Sequence, residues 1–218
     1  MSELISVSFQ LPGVMTRMGL PFGFGDASVE EVCRKNGVDT KAFLLICRVY
    51  LMDAYTPEAG ILDGVRVQDI VNYLRLSHRW YLDTFISELA KALKEVTAPC
   101  GEKYHLIIRK FFEDYREELV KHFTYEEEVV FPYVDQVISG RKPPSFTIRQ
   151  YEKNHSNIQE KLQDLKSLVL KYMPESCAAG DIYRALFYIY ALEIDLSCHT
   201  RIEEDILIPL VSRMERDE

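Results

Sequence analysis

One translation of 77 residues relates two stretches of this chain and limits its fold more than any other feature. His122 opens the segment HFTYEEEVVFPYV and His199 opens HTRIEEDILIPLV. The His, two successive Glu, the Pro and the closing Val coincide, and most positions between them are similar in kind. His78 and His155 are also 77 residues apart, and within each half the two histidines are separated by 44. Four of the five histidines therefore obey one duplication. Chance explains that poorly.

From Val65 onward the hydrophobic pattern is helical almost throughout. It predicts four long helices, at about 67–95, 102–138, 146–173 and 181–215, and no strand. The breaks TAPCG (97–101), SGRKPPS (139–145) and PESCAAG (174–180) are rich in Pro, Gly or Ser. Short connections between long amphipathic helices make antiparallel neighbours, so the expected fold is all-α, an up-down-up-down four-helix bundle. Residues 1–62 read as a separate small helical domain ahead of the bundle domain, 63–218. That first part carries Pro12-Gly13, Pro21, Gly23 and Gly25, then two short helical stretches. One opens with a capping-box pattern at Ser28 and Glu31, the other at Thr40, and Thr56–Gly60 with Asp63-Gly64 ends the unit.

The spacing of 44 suits a helical hairpin. From His78 the chain runs about 17 residues out to the turn and about 21 back to His122; at ~1.5 Å per residue the legs differ by about 6 Å. The second hairpin gives about 18 out and about 19 back, so each histidine pair lies at nearly one height. Glu126 and Glu203 each follow a histidine by four residues and share its helix face. Those faces are otherwise apolar: Tyr104, Ile108, Phe111, Tyr115, Leu119, His122, Glu126, Val129 on one helix, and Ala185, Tyr188, Leu192, Leu196, His199, Glu203, Ile206, Leu210 on the other. An unpaired ionised carboxylate in a core is too costly to keep. His78, His122, Glu126, His155, His199 and Glu203 thus need something that neutralises them, and a pair of metal ions does.

His105 is the control, about 25 Å along the helix from His122 and about 100° off its face; it reads as a surface or packing residue. Glu127 and Glu204 point about 100° away from the ligand face, which suits a solvated or interhelical role. Glu118 and Asp195 precede the histidines by four residues; they either orient an imidazole or merely sit at the bundle edge. Cys198 reads as packing. Tyr81, Tyr115, Tyr151 and Tyr188 all approach the site in sequence, and no single one stands out among 13 tyrosines.

Charge and cysteine usage narrow the function. Basic residues number 26 and acidic ones 34, a net charge of −8 that disfavours nucleic acid and anionic membranes. No apolar run reaches about 18 residues and the start MSELISVSFQ lacks a signal layout, so a cytoplasmic location is expected. The five cysteines are odd in number, widely spaced and without C-x-x-C, which predicts buried thiols in a reducing compartment rather than a disulfide framework. Four imidazoles and two carboxylates accept iron, zinc or manganese, leave coordination positions open and favour small anions or diatomic molecules.

These residues resemble the haemerythrin-like (HHE) di-iron bundles, of the repair-of-iron-centres type. IVNYLRLSH resembles the first ligand segment, HFTYEEEVVFP the second, KNHSNIQEKLQDL the third and DLSCHTRIEEDILIP the last, while VMTRMGLPFGFGDASVEEVCRKNGVD resembles the family's small helical domain. The resemblance implies two iron ions held by His78, His122, Glu126, His155, His199 and Glu203, each iron taking two His, with both Glu bridging. It also implies reaction with O2 or NO and supply of iron to damaged iron–sulfur proteins under nitrosative or oxidative stress. The chain departs from the family at one place. Adjacent cysteines usually follow the Gly-Leu/Ile-Asp-Phe stretch, and here Phe22-Gly23-Phe24-Gly25 stands instead. Three readings stay open: an iron-centre repair protein, a reversible O2 or NO carrier or sensor, and a helical scaffold holding zinc or nothing. The resemblance leaves room for a homodimer.

Overall fold

The structure, a computed structural model, describes residues 1–141, 146–154 and 158–216. Its elements follow from local chemistry at their ends. The amino-terminal segment forms α1 (Ser2–Ile5), α2 (Leu11–Arg17), α3 (Val29–Lys35) and α4 (Thr40–Leu51). α3 starts with the expected capping box: the Ser28 hydroxyl accepts the Glu31 N–H at 3.2 Å and the Glu31 carboxylate accepts the Ser28 N–H at 2.8 Å. Two backbone donors that a helix start leaves unsatisfied are paired reciprocally. α4 is capped by Asp39, whose carboxylate accepts the Lys41 N–H at 3.1 Å. α2 forms across Pro12-Gly13, where the sequence suggests a break. Pro12 falls in the first turn, where its missing N–H removes no helical bond.

The four long helices appear within a few residues of their expected ends, but three of them are interrupted. α5 (Val67–Trp80) passes through a π turn at Tyr81–Phe85 into α6 (Ile86–Thr97). α7 (Glu102–Tyr125) passes through a second at Glu126–Val130 into α8 (Phe131–Ile138). α9 (Ile148–Asn154) and α10 (Ile158–Tyr172) occupy the third helix, and α11 (Ala179–Ile202) passes through a π turn at Glu203–Leu207 into α12 (Ile208–Met214). In a π turn the N–H reaches back five residues, as Ile86 does to Tyr81 and Ile208 to Glu203. Pro132 and Pro209 follow two of these turns. A proline inside a helix lacks a donor and crowds the carbonyl four residues earlier, and a widened turn there gives that carbonyl room. The turn at Tyr81–Phe85 has no such proline.

The inserted residue also turns the face that follows. Val130 is fully buried, while Val129, expected on the ligand stripe, is 38% exposed. On α7 the buried position is Phe112 and not Phe111. No strand occurs among the described residues, and none of their helices is long and apolar enough to cross a membrane.

Contacts divide the chain into two compact units, one of Met1–Ser77, Val129–Asn154 and Cys198–Glu218, the other of His78–Glu128 and His155–Ser197. In the second unit each helix gives one apolar stripe to a shared core: Ile86, Leu89, Leu93 and Val96 from α6, and Ile108, Phe112, Tyr115 and Leu119 from α7. α10 adds Leu162, Leu165 and Val169, and α11 adds Ala185, Ile189, Leu192 and Leu196. Spacings of three and four keep each stripe on one face. The two hairpin turns of this unit are joined by a disulfide between Cys100 and Cys177, with Cα atoms 5.8 Å apart. This corrects the expectation of five thiols. The pair is separated by 77 residues, the repeat offset, so duplication places one cysteine at each turn. Cys33, Cys47 and Cys198 are buried thiols, as expected.

The first unit is tied together by long-range polar contacts. Arg201 donates to the carbonyls of Val49, Met52 and Tyr55 at 3.1, 3.0 and 2.9 Å, fixing α11 to the end of α4. Arg75 pairs with Asp135 at 3.0 Å and lies over the Phe131 ring. Glu215 accepts from the Tyr133 hydroxyl and, at 3.0 Å, from the Ile148 N–H at the start of α9.

Candidate metal centre

Three of the expected ligands meet inside the second unit. His78 lies in the last turn of α5, His122 in the last turn of α7, and Glu126 opens the π turn that follows. Glu126 is fully buried. Its Oε1 is 2.9 Å from His122 Nε2 and its Oε2 is 3.0 Å from His78 Nε2, so each carboxylate oxygen faces an imidazole nitrogen. Burial by itself raises the Glu126 carboxyl, yet hydrogen bonds from His122 and His78, aided by their charge, hold it well below the usual carboxylate range.

The surroundings of His78 orient the ring. Its Nδ1 lies 2.9 Å from Glu127 Oε1, and its ring stacks on Phe123 with centroids 4.1 Å apart. Tyr81 stacks on the other partner of that contact, 5.7 Å from the Phe123 centroid, and its hydroxyl donates to the Asp195 carbonyl at 3.3 Å. In the metal-free fold Nε2–H donates to Glu126; with Nδ1–H given to Glu127, release of the Nε2 proton exposes the lone pair that a metal ligand requires. Glu127 therefore takes the interhelical one of the two roles expected for it. Glu118 does not orient a histidine: it pairs with Lys161 at 3.2 Å on the surface. His105 lies away from these ligands, bonded to Thr97 at 2.9 Å.

The first unit holds the duplicate pair. His199 Nε2 is 3.1 Å from Glu203 Oε1, and both residues are buried. As in the first repeat, the histidine ends an α-helix and the glutamate begins a π turn. Cys198 packs with its sulfur 4.0 Å from the Val49 carbonyl. The same unit fixes the residue before His78. Arg17, 4% exposed, donates to Ser77 Oγ at 3.4 Å and to the Tyr50 hydroxyl at 3.0 Å, and lies over the Tyr50 and Tyr73 rings. No sequence signal points to Arg17, whose partners lie 33 and 60 residues away.

His155 lies outside the described residues. Among the described residues, the second unit brings His78, His122 and Glu126 together and the first brings His199 and Glu203 together, all of them buried. These donors fit a metal ion. Neutral imidazole nitrogens and ionised carboxylate oxygens are borderline-to-hard ligands that accept iron, zinc or manganese, and a cation offsets the burial of two carboxylates.

Comparison with known proteins agrees with this chemistry. An iron-sulfur cluster repair protein, DnrN of Neisseria gonorrhoeae, is 24% identical over 148 residues, covering 68% of this chain and 90% of the relative. The hemerythrin HHE cation-binding domain family matches residues 69–211, which include all six proposed ligands. That match spans more than half of the chain, and the chain belongs to this family.

Proposed function

We propose that the protein binds two iron ions through His78, His122, Glu126, His155, His199 and Glu203, with the two glutamates bridging, and that it serves in the cytoplasm to restore iron–sulfur centres damaged by nitrosative or oxidative stress. The observation that carries this reading is the fully buried Glu126 with an imidazole nitrogen on each oxygen, echoed 77 residues later by His199 and Glu203. The repair protein among its relatives supports the assignment to iron–sulfur chemistry. Iron held there would supply redox activity and would bind O2 or NO. The chain's own residues supply the rest: Glu127 accepts from His78 Nδ1, Phe123 stacks on the imidazole, and Tyr81 stacks on Phe123.

Anaerobic metal analysis followed by a rescue assay tests the proposal. About two irons per chain are expected, together with recovery of an iron–sulfur dehydratase previously inactivated by nitric oxide. Zinc or no metal after iron reconstitution would count against the di-iron reading. A second reading has its own support in Phe22-Gly23-Phe24-Gly25, which stands where the family's thiol pair would be. It makes the protein a reversible O2 or NO carrier or sensor. Iron-loaded protein that binds NO reversibly and restores nothing would establish that alternative and exclude the repair role.

A further inference from the structure

We infer that the seam between α6 and α7 is a binding site for a small amphiphilic carboxylate, an acid head on an apolar chain. Both helices belong to the second unit, and a groove of about 370 Å³ lies along their contact. That volume falls in the range of small-molecule sites. Ala90, Leu93, Ile108 and Phe112 form an apolar floor, where Ala90 presents only a methyl group. Thr97 and His105, bonded at 2.9 Å, close the groove at the hairpin end. The Thr97 hydroxyl gives its own proton to the Leu93 carbonyl at 2.8 Å, so it accepts from His105 Nδ1.

Positive charge gathers on the rim. Lys94 from α6 and Arg109 and Arg116 from α7 line the groove beside one carboxylate, Glu113, in a chain whose net charge is −8. Arg109 takes that carboxylate at 2.7 Å. Lys94 and Arg116 have no side-chain partner among the described residues. Two unneutralised cations above an apolar floor select an anion that also carries an apolar body. A guanidinium matches the plane of a carboxylate with two donors, and the ammonium adds a point charge.

The duplication shows that a hairpin of this design packs without these groups. Adding the repeat offset maps Thr97, His105, Arg109 and Arg116 onto Pro174, Ile182, Leu186 and Glu193. The matching seam keeps one of the three cations, with Lys171 in the place of Lys94. Its Glu193 is neutralised by Lys166 at 2.7 Å. The cationic lining is therefore a property of the first hairpin alone, beyond what folding requires of either.

Equilibrium dialysis of the full metal-loaded chain against labelled octanoate, 1-octanol and acetate tests the inference. Octanoate should bind with a Kd of about 0.1–1 mM, weakening as salt is raised. The alcohol lacks the head and acetate lacks the chain, so each should bind at least about tenfold more weakly. Lys94→Gln with Arg116→Gln, both on exposed positions, should weaken octanoate about tenfold with helical content retained. Ala90→Leu, which fills the floor, gives an independent variant and should do the same. Octanol that binds as tightly as octanoate overturns the inference, because the head is then not recognised. Acetate that binds equally well overturns it too, since the metal would then be taking the carboxylate. So does octanoate that is not retained by the wild type, or is retained unchanged by both variants.

Discussion

Cutting the Cys100–Cys177 cross-link should lower stability by a calculable amount without touching the metal ligands. The bond joins residues 77 apart in sequence, so it removes the entropy that an open loop of that length has in the unfolded chain. The chain-entropy relation gives about 4.5 kcal/mol at 25 °C for a loop of this size. For a protein of this length about 2–4 °C accompanies each kcal/mol, so the melting temperature should fall by about 9–18 °C. Cys100→Ser and Cys177→Ser, followed by thermal unfolding of metal-loaded protein, measure it. Each single variant should lose the same amount, and the double variant no more than either, because one cross-link can be lost only once. The loss should also appear when the wild type is reduced, with the variants indifferent to reductant. Thr97, where the first hairpin turns, is about 28 Å along the helix from His78, so iron content should be unchanged. Additive losses in the double variant, or a wild type insensitive to reductant, would refute the reasoning.

Four further outcomes follow from buried groups. Glu126→Ala or His122→Ala should abolish metal binding, and Glu126→Ala should cost the metal-free fold about 3–5 kcal/mol, because it strands two imidazoles that share a carboxylate; full metal content in either variant would remove these residues from the ligand set. The lowered Glu126 carboxyl stabilises the metal-free fold above the ordinary carboxylate value of about 4.3, and the contribution is lost as pH falls through the lowered value. Denaturant midpoints of the apo protein should therefore drop on acidification more steeply in the wild type than in Glu126→Gln, and equal slopes would contradict this. Tyr115 is fully buried with a hydroxyl that has no partner among the described residues, so Tyr115→Phe should raise stability by about 1 kcal/mol in chemical denaturation; a loss would mean that the hydroxyl is bonded in solution. Burial pushes the Cys47 thiol up to about 12, so Cys47 should resist alkylation near neutral pH until the protein unfolds, as labelling followed by mass spectrometry will report.

How much was legible beforehand depended on the reach of each interaction. Helix positions, the capping box at Ser28 and the pairing of His122 with Glu126 are set by residues three and four apart, and sequence periodicity reads those directly. The ring of His78 facing Glu126 spans 48 residues, yet duplication and hairpin arithmetic anticipated that the two would meet. Arg17 and its bond to Ser77 had no such guide, because a buried arginine among tyrosines leaves no periodic trace. The disulfide leaves no local motif either; its one mark in the sequence is that Cys100 and Cys177 are separated by the repeat offset itself.

The π turn after α7 explains why the apolar stripe expected through Glu126 does not continue to Val129, while on the last helix Ile206 and Leu210 are buried as expected. A regular helix carries the stripe from Glu126 to Val129, whereas the inserted residue brings Val130 inward instead. Both glutamates open a π turn, both turns are followed by a proline at the same interval, and the two copies keep the arrangement 77 residues apart. A π turn spends helical hydrogen bonding to gain a change of direction, and such turns concentrate at functional sites. Here each one lets a histidine and a glutamate share the inward face on one side while the helix beyond the proline packs on a new one. The proline, which on paper threatens the helix, sits where the widened turn can accommodate it. The His-x3-Glu-x5-Pro pattern is therefore one structural unit, with ligand pair, π turn and helix restart inherited together in each half of the repeat.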